Sequence, residues 1–217
     1  MLTDDEELAK ILRSYTHVGR IEGRAWYEHF IIAGNNRMTE IQAAILLAQL
    51  ARLPEQTQRR EENVALLNRA LADVPGIHPQ ARDPRVTRRS HHMYFFRFVS
   101  SEFGGITRQQ FLDALNAEGI PCSGGYLHPM YKNACFQTLN DNPRPENRWL
   151  SRECNERGYR LDKVCCRVAE RLCNQEIVWL PQTILLETAG DMEQIVTAIR
   201  KIHANQKEIV AAPATEQ

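Results

Sequence analysis

The chain has 217 residues, of which 43% are hydrophobic and 25% charged, a composition typical of a folded globular protein. It carries 27 basic and 27 acidic residues, so its formal net charge is zero, which argues against a broad basic surface for nucleic acid or anionic lipid. No apolar run approaches the roughly 20 residues that a membrane-spanning helix needs. The acidic start, MLTDDEELAK, lacks the cationic and apolar regions of a signal peptide. We therefore expect a cytoplasmic protein that binds neither nucleic acid nor membrane.

The cysteines and histidines do not have the spacing of a metal site. None of the six cysteines belongs to a C-x-x-C pair, and no Cys/His set matches a zinc finger. Without a secretion signal, reduced thiols are the expected state. A function in zinc or nucleic-acid binding lacks both the ligand spacing and the basic charge, so we predict no metal site.

The first 74 residues are predicted to be mainly helical. TDDEELAKILRSY has a Thr3 cap followed by apolar residues at helical spacing, and an irregular loop containing glycines and aromatics comes next. Thr39 is placed to cap a second helix that runs to about Leu53. Pro54 is expected to end or kink that helix and to begin an amphipathic one, which a Pro-Gly pair at 75–76 stops.

The remainder is predicted to contain a small sheet and two further helices. HHMYFFRFVS alternates and is rich in aromatics, which predicts a strand with His91 and His92 on opposite faces. IPCSGGYL and NQEIVWLPQ are predicted as short strands, and TRQQFLDALNAEG, capped by Thr107 and Gln110, and DMEQIVTAIRKIHA as helices. The polar stretch 138–163 is expected to be an insertion or a surface excursion. This order predicts an α+β fold, with a small, mainly antiparallel sheet packed with helices and preceded by long helices.

The turn GNNRM precedes the second helix and has the chemistry of an anion site. Free backbone N–H groups at a helix N-terminus favour an anion, the amides of Asn35 and Asn36 can donate, and Arg37 offers a planar fork for phosphate or carboxylate. The alternative is that the asparagines are only turn residues and the arginine a surface cation. The helix behind the turn, IQAAILLAQLARL, is apolar nearly all round, which predicts burial in a core or between subunits.

A second candidate site is the loop YLHPMYKN. His128 lies there close in sequence to Tyr126, Tyr131 and Lys132, a plausible place for substrate contacts. The alternative is an ordinary hydrogen-bonded histidine. No Ser-His-Asp order, phosphate-binding glycine loop or dinucleotide fingerprint is present, so these residues alone leave the reaction open.

Taken together, these segments resemble a known family. TDDEELAKILRSYTHVGR, then GNNRMTEIQAAILLAQLARL, SHHMYFFRF, FLDALNAEGIPCSGGYLHPMYKNACF and WLPQ resemble, in order, the DegT/DnrJ/StrS aminotransferases, from about Leu2 to His203. The run N-x-R-M-T-E-x-Q-A-A is the most specific part. RSHHMYFFR leans towards the branch that contains aminohydroxybenzoate synthases.

The resemblance implies a fold-type-I enzyme that uses pyridoxal 5'-phosphate. It implies that Asn35 reaches the cofactor phosphate of the neighbouring subunit in a homodimer, and that Arg37 lies near that shared site and contacts substrate. Tyr126 and His128 would belong to the substrate-side loop, and His91 and His92 to the strand bordering the site. The reaction implied is transfer of an amino group from glutamate or glutamine to a keto sugar or related cyclic ketone.

The chain departs from the family at the residue that does the covalent chemistry. In the family a lysine forms a Schiff base with the cofactor upstream of the segment that matches TDDEELA, and none of the lysines here has that context. We therefore predict that this chain contains no catalytic residue. We expect a C-terminal portion of such an enzyme, inactive alone, that needs a homodimer or a separate N-terminal half; the alternative is a non-catalytic dimerisation module.

The resemblance also sets expected domain boundaries. Residues 1–37 would be a remnant of the large domain with an interface loop, and 38–74 long connecting helices. Residues 75–204 would form the small C-terminal domain. The sequence at the end of the chain itself predicts a disordered tail at 205–217.

Overall fold

Helix α1 spans Glu6–Thr16 in a computed structural model that describes residues 2–25 and 27–211. Its N-cap is Asp5 rather than the expected Thr3, because the Asp5 carboxylate accepts a hydrogen bond from the backbone N–H of Leu8 at 3.0 Å. The Thr3 hydroxyl instead accepts from the Asp5 N–H at 3.1 Å. A carboxylate at the cap also complements the positive end of the helix dipole.

Helix α2 is one continuous element, Glu40–Leu71, with Pro54 inside it. The sequence predicted a helix end or a kink at this proline, and the expectation of two separate helices is wrong. Proline removes one backbone hydrogen bond within a helix, but the residues after it pack tightly. Val64, Leu67 and Leu71 are buried, so tertiary packing holds the helical course beyond the proline.

The sheet has three antiparallel strands in the order β1, β2, β3: Ile77–Pro79, Met93–Phe98 and Ile177–Pro181. Along β2 every second residue, Tyr94, Phe96 and Phe98, is buried, so one face of the sheet lies on the core as the alternation predicted. The predicted strand IPCSGGYL forms only an isolated bridge between Ser123 and Trp179. The sheet is small and antiparallel, and the fold is α+β.

Histidines 91 and 92 lie before strand β2, not within it, so the expected placement on opposite strand faces is wrong. His91 has a positive φ of 47°, which ends any extended course through that residue. Its side chain is buried, and burial, followed by the nearby charge of Arg89, lowers the pKa of His91. His92 is exposed.

Two capped helices cover the sheet. Helix α3, Arg108–Ala117, begins with the predicted capping box of Thr107 and Gln110, and helix α7, Ala189–Ala204, begins with a second one. The Phe111 ring of α3 packs against three other core phenylalanines at centroid distances of 4.7 to 6.2 Å. The Ile195, Ile199 and Ile202 side chains of α7, predicted to share a face, are all buried.

The segment 138–163 is more ordered than a surface excursion. It contains helix α5, Arg148–Glu156, and buries the side chains of Leu139 and Cys154. Asn140 lies at the centre of a hydrogen-bonded network, donating to the Tyr159 carbonyl at 2.6 Å and accepting from the Leu161 N–H at 2.9 Å. Other short α-helices are α4 (Ala134–Gln137), α6 (Arg167–Arg171) and α8 (Gln206–Ala211).

Helix α8 falls in the stretch expected to be a disordered tail, so that expectation is wrong for Gln206–Ala211; residues 212–217 lie outside the described part of the chain. The chain divides into two compact units, Met1–Pro54 and Glu55–Gln217. The boundaries expected from the sequence stay predictions. In the described ranges, no helix is long and apolar enough to cross a membrane.

Candidate functional site

The turn that carries Asn35 is tied to the end of α1 by two backbone hydrogen bonds. The Val18 N–H donates to the Gly34 carbonyl at 3.1 Å, and the Asn36 N–H donates to the Thr16 carbonyl at 3.0 Å. Together they form an antiparallel bridge between His17 and Asn35. The backbone of Asn35 is therefore fixed by a helix that lies about 20 residues earlier in the chain.

The side chains of Asn35 and Arg37 are oriented by each other. Arg37 Nε donates to the Asn35 Oδ1 at 2.9 Å, so the amide oxygen is engaged and the amide nitrogen Nδ2 remains as a donor. Both residues are exposed. The turn thus exposes the Asn35 amide N–H groups and the two terminal nitrogens of the Arg37 guanidinium to solvent. These donors are suited to an oxyanion.

Helix α2 begins directly after this turn, with the cap that the sequence predicted. The Gln42 N–H donates to the Thr39 hydroxyl at 3.3 Å, and the Thr39 N–H donates to the Gln42 side-chain oxygen at 2.9 Å. This reciprocal pair places the cap of the helix two residues beyond Arg37, so the positive end of the helix dipole lies beside the turn.

Arg37 lines two concave regions of the first compact unit. One is a cavity of about 1070 Å³ between the residues of α1 and the loop that follows it. The other is a shallower groove of about 570 Å³ that Arg37 shares with Asn36, Met38, Gln42, Ile45 and Leu46. The larger volume lies at the upper end of the range for small-molecule sites.

The apolar first half of α2 is exposed in this chain. Ile41 is 75% exposed and Leu47 is 69% exposed, and Ile45 and Leu50 are similar. The sequence predicted burial of this helix, and within the chain itself that does not occur. Burial against another domain or subunit stays a prediction; several large aliphatic side chains exposed along one stretch of helix are a feature of interaction sites.

The loop that carries Tyr126 belongs to the second compact unit and is held by Trp179 of β3. Ser123 and Trp179 exchange two backbone hydrogen bonds, of 3.0 and 2.8 Å. Gly125 has a positive φ of 72°, and a Cβ there would lie 2.6 Å from the Trp179 ring. The exposed Tyr126 ring then packs edge-on against the same indole, at a centroid distance of 4.9 Å.

His128 has its own polar neighbours further along this loop. Its Nε2 lies 3.2 Å from the Asn133 Oδ1, and the Asn133 amide donates to the Met130 carbonyl at 2.8 Å. Tyr131 and Lys132, the other candidates here, both pair with Glu170, at 2.5 and 3.1 Å. These two bonds, with that to Tyr131 the larger effect, lower the pKa of Glu170. Tyr126 contacts Trp179 whereas His128 pairs with Asn133, so the two candidate residues have different partners.

Arg108 is a residue that the sequence did not single out. Its Nη1 donates to three carbonyls, those of Gly124 at 3.1 Å, Cys173 at 2.8 Å and Ile177 at 3.4 Å. Burial lowers the pKa of this guanidinium. Since Gly124 precedes Tyr126 by two residues, Arg108 anchors the candidate substrate loop, and its partners lie too far along the chain for any local pattern to indicate them.

The donor set on the turn fits the phosphate of pyridoxal 5'-phosphate. An amide N–H, a guanidinium and a helix N-terminus are the groups that proteins use for phosphate. The described residues contain no cluster of His, Cys, Asp and Glu that could hold a metal ion. All six cysteines have free thiols.

Comparison with known proteins assigns the class of this fold. The profile of the DegT/DnrJ/EryC1/StrS aminotransferase family matches residues 1–158. A solved structure of 3-amino-5-hydroxybenzoic acid (AHBA) synthase superposes with a TM-score of 0.68 at 28% identity, over 94% of this chain and 49% of that one. Helicobacter pylori PseC, an aminotransferase of pseudoaminic acid biosynthesis, has the same fold, with a TM-score of 0.68 at 22% identity, over 94% of this chain and 48% of that one. The chain belongs to the DegT/DnrJ/EryC1/StrS aminotransferase family.

Curated relatives show which members of that family this chain is similar to. The L-glutamine:2-deoxy-scyllo-inosose aminotransferase of Micromonospora echinospora is 32% identical over 179 residues, 82% of this chain and 40% of the relative. The 3-amino-5-hydroxybenzoate synthase of Amycolatopsis mediterranei (strain S699) is 32% identical over 183 residues, 83% of this chain and 42% of the relative. The chain spans about half the length of the curated relatives it matches, 48% and 49% for two that align over 94% of it.

Proposed function

We propose that this chain is the C-terminal portion of a pyridoxal-phosphate-dependent aminotransferase. It would transfer the amino group of an amino acid, glutamine or glutamate, to a cyclic ketone such as a keto-inositol or keto sugar. The supporting relatives are named for glutamine and 2-deoxy-scyllo-inosose, and for an aminated hydroxybenzoate.

The observation that carries the proposal is the Asn35–Arg37 turn. Its backbone is pinned to α1, the Asn35 amide oxygen is engaged by Arg37, and the amide nitrogen is left to donate. A fixed donor at a helix start needs no reorganisation to bind a phosphate. In the proposed enzyme Asn35 holds the cofactor phosphate of the partner subunit and Arg37 binds substrate beside it.

The cofactor, when bound, supplies an electron sink for amino transfer. The residues of this chain supply binding and orientation: Asn35 and Arg37 on one side, and Tyr126 and His128 on the substrate side. The lysine that would carry the cofactor is assigned to an N-terminal half that this chain does not provide.

The exposed apolar face of α2 supports assembly with another chain or domain. An exposed row of large aliphatic side chains directly after the turn would be buried in such a contact. The same face also favours the second candidate function, a dimerisation module without catalysis. The two differ in whether Asn35 and Arg37 matter for activity once a lysine-bearing half is present.

The test is subunit complementation in a chimera. This chain would replace the corresponding half of the Micromonospora echinospora relative, which then contributes the lysine-bearing half. One dimer carries Asn35→Ala and a second lacks the cofactor lysine. If Asn35 acts across the interface, both parents are inactive, and mixing with subunit exchange restores about a quarter of the activity, because half of the dimers gain one complete site of two.

One control variant and two contrary outcomes complete the test. Arg152→Gln, on the exposed face of α5 in an ion pair with Glu156, should leave chimera activity unchanged. Failure of the mixed dimers to regain activity, with exchange confirmed by mass spectrometry, would place Asn35 in its own subunit's site and contradict the proposal. A stable dimeric chimera that is inactive throughout would favour the non-catalytic module.

A further inference from the structure

Two adjacent cysteines, Cys165 and Cys166, lie exposed on the second compact unit with free thiols. They occupy an irregular stretch between a short 3-10 helix and helix α6. Burial raises the pKa of the Cys122 thiol to about 11, and Cys154 is buried, so both are poor nucleophiles. Cys135 is exposed but has no cysteine beside it in the sequence. The adjacent pair therefore combines access to solvent with a second thiol at the next residue.

The backbone of Cys166 takes part in a hydrogen-bonded latch. Its N–H donates to the Tyr131 hydroxyl oxygen at 2.9 Å, and the Tyr131 hydroxyl donates to the Glu170 carboxylate at 2.5 Å. The Glu170 N–H donates back to the Cys166 carbonyl at 3.0 Å. The Lys132 ammonium pairs with the same carboxylate at 3.1 Å. We call Tyr131, Lys132, Cys166 and Glu170 the tyrosine latch.

The tyrosine latch fastens one end of the candidate substrate loop. Tyr131 follows His128 by three residues, and the Gln137 side chain donates to the Tyr131 carbonyl at 2.7 Å. The other end of the loop is fixed by the backbone bridge between Ser123 and Trp179. The loop is therefore held at both ends, and the hold on Tyr131 includes a backbone N–H that belongs to a cysteine.

A disulfide between Cys165 and Cys166 would disturb that N–H. The peptide bond between them is trans, and Cα atoms joined in this way lie about 3.8 Å apart, whereas disulfides prefer roughly 4.4–6.8 Å. Closing the ring therefore requires rotation of the backbone between the two cysteines, which carries the Cys166 N–H. A strained and exposed disulfide is also readily reduced, which is the property of regulatory disulfides.

We propose that Cys165 and Cys166 are a redox-modification site for a small-molecule disulfide of the glutathione class, and that their oxidation opens the tyrosine latch. The thiolate of one cysteine attacks a sulfur of glutathione disulfide, which forms a mixed disulfide and releases one glutathione thiolate. The other cysteine loses its proton to solvent and attacks the protein sulfur of the mixed disulfide. The Sγ–Sγ bond forms and the second glutathione leaves. Two protein thiols are thus oxidised to one disulfide, and glutathione disulfide is reduced to two glutathione molecules.

Oxidation changes how the candidate substrate loop is held. In the reduced chain the Cys166 N–H bonds the Tyr131 hydroxyl, as the structure shows. In the oxidised chain this bond is lost, and the end of the loop near His128 loosens. The regulatory meaning of the switch rests on the proposed function, because this loop is the predicted substrate side of the aminotransferase. The thiol chemistry and the loosening do not depend on it.

The test is treatment of the 217-residue chain with glutathione disulfide, followed by mass spectrometry and amide hydrogen exchange. The whole latch lies in the second compact unit, so this chain contains every group of the switch. The peptide with Cys165 and Cys166 should lose two hydrogen atoms, while Cys135 should gain a glutathione group. The amides of Lys132 and Asn133, which close the turn after the loop, should exchange about tenfold faster, as expected for loss of a hydrogen bond. Dithiothreitol should reverse both changes.

Three variants separate the latch from general thiol reactivity. Cys166→Ser keeps the backbone N–H, so Cys165 should retain a glutathione group and exchange at Lys132 should stay as in the untreated chain. Tyr131→Phe removes the hydroxyl of the latch, so exchange should be about tenfold faster before oxidation and no faster after it. Cys135→Ser is the matched control, and it should form the disulfide and show the same acceleration as the wild type.

Stable glutathione groups on both Cys165 and Cys166, or a disulfide from either one to Cys135, would overturn the proposed modification site. Formation of the Cys165–Cys166 disulfide with unchanged exchange would overturn the latch. Equal acceleration in Cys166→Ser and the wild type would also contradict it, because that variant cannot close the ring. The complementation test of Asn35 is independent of these results. A chain that switches but fails complementation would retain the redox site and lose its meaning for amino transfer.

Discussion

Replacement of Gly125 by alanine tests how the candidate substrate loop is held. Gly125 and Gly158 have the same positive φ of 72°, a conformation that is costly for any residue with a Cβ. They differ in surroundings. A Cβ at Gly158 meets nothing within 4 Å, whereas one at Gly125 lies 2.6, 2.8 and 3.0 Å from three atoms of the Trp179 ring. The pair therefore separates backbone strain from a steric clash.

The expected magnitudes follow from that difference. Alanine at either position costs about 1–2 kcal/mol for the left-handed backbone, offset by roughly 0.4–1 kcal/mol from the stiffer unfolded chain. Gly158→Ala should therefore lower the free energy of unfolding by about 1 kcal/mol. Gly125→Ala must also displace the half-buried Trp179 ring, and overpacking of this kind costs about 1–3 kcal/mol more.

The assay is urea denaturation followed by far-UV circular dichroism, with the denaturant slope compared between variants. Near-UV circular dichroism provides a second readout, because the Tyr126 ring packs edge-on against Trp179. Gly125→Ala should change the near-UV signal, and Gly158→Ala should not.

Equal losses of stability in the two variants would refute the steric argument. So would an unchanged near-UV spectrum for Gly125→Ala, because it would show that the loop accommodates a methyl group without moving the indole. In either case the close approach of Gly125 to Trp179 would not restrict the loop.

Phe111→Ala removes the central ring of the core and should lower the free energy of unfolding by about 3–5 kcal/mol in urea; a loss below about 1 kcal/mol would show that the core closes over the gap. Thr107→Ala removes a capping box and should cost about 1 kcal/mol, whereas the exposed Gln109→Ala on the same helix should change stability by less than about 0.5 kcal/mol. Burial, followed by the charge of Arg89, lowers the pKa of His91 in the folded protein below its ordinary 6.5. As pH falls, the unfolded chain therefore binds this proton before the folded protein does, and the free energy of unfolding decreases. In urea titrations between pH 7 and 5, His91→Asn, which suits the positive φ, should lose less stability than the wild type; equal losses would contradict the assignment.

Much of the local structure could be predicted from short patterns. The capping box of Thr107 and Gln110, the cap at Thr39 and the alternation of β2 all depend on residues within a few positions of each other, and the structure confirms them. The two errors in the helices have different causes, tertiary packing after Pro54 and a second capping residue near Thr3. Pro54 does not break α2, and a carboxylate two residues on replaces Thr3 as the cap of α1.

For the candidate site, the sequence indicated the residue types and the structure supplied their neighbours. Asn35 and Arg37 were predicted from a turn before a helix, and their mutual hydrogen bond follows from their spacing of two. The bridge to His17 could not be predicted, because it joins residues 18 positions apart across an irregular loop. Arg108 was missed for the same reason, since its three carbonyl partners come from 16 to 69 residues away.

The sequence by itself determined the family likeness, the α+β class and the chemical character of the Asn-Arg turn, because these depend on local order and residue type. Only the tertiary structure decided which side chains share a wall. Lys10, Arg13 and Ser14 lie on one helix, yet their shared cavity with Arg37 exists because the chain folds back after Gly19 and brings residue 34 to α1. The position of Arg37 beside α1 depends on this return of the chain. A short window of sequence does not contain both α1 and the turn at residue 34, so it could not predict their contact.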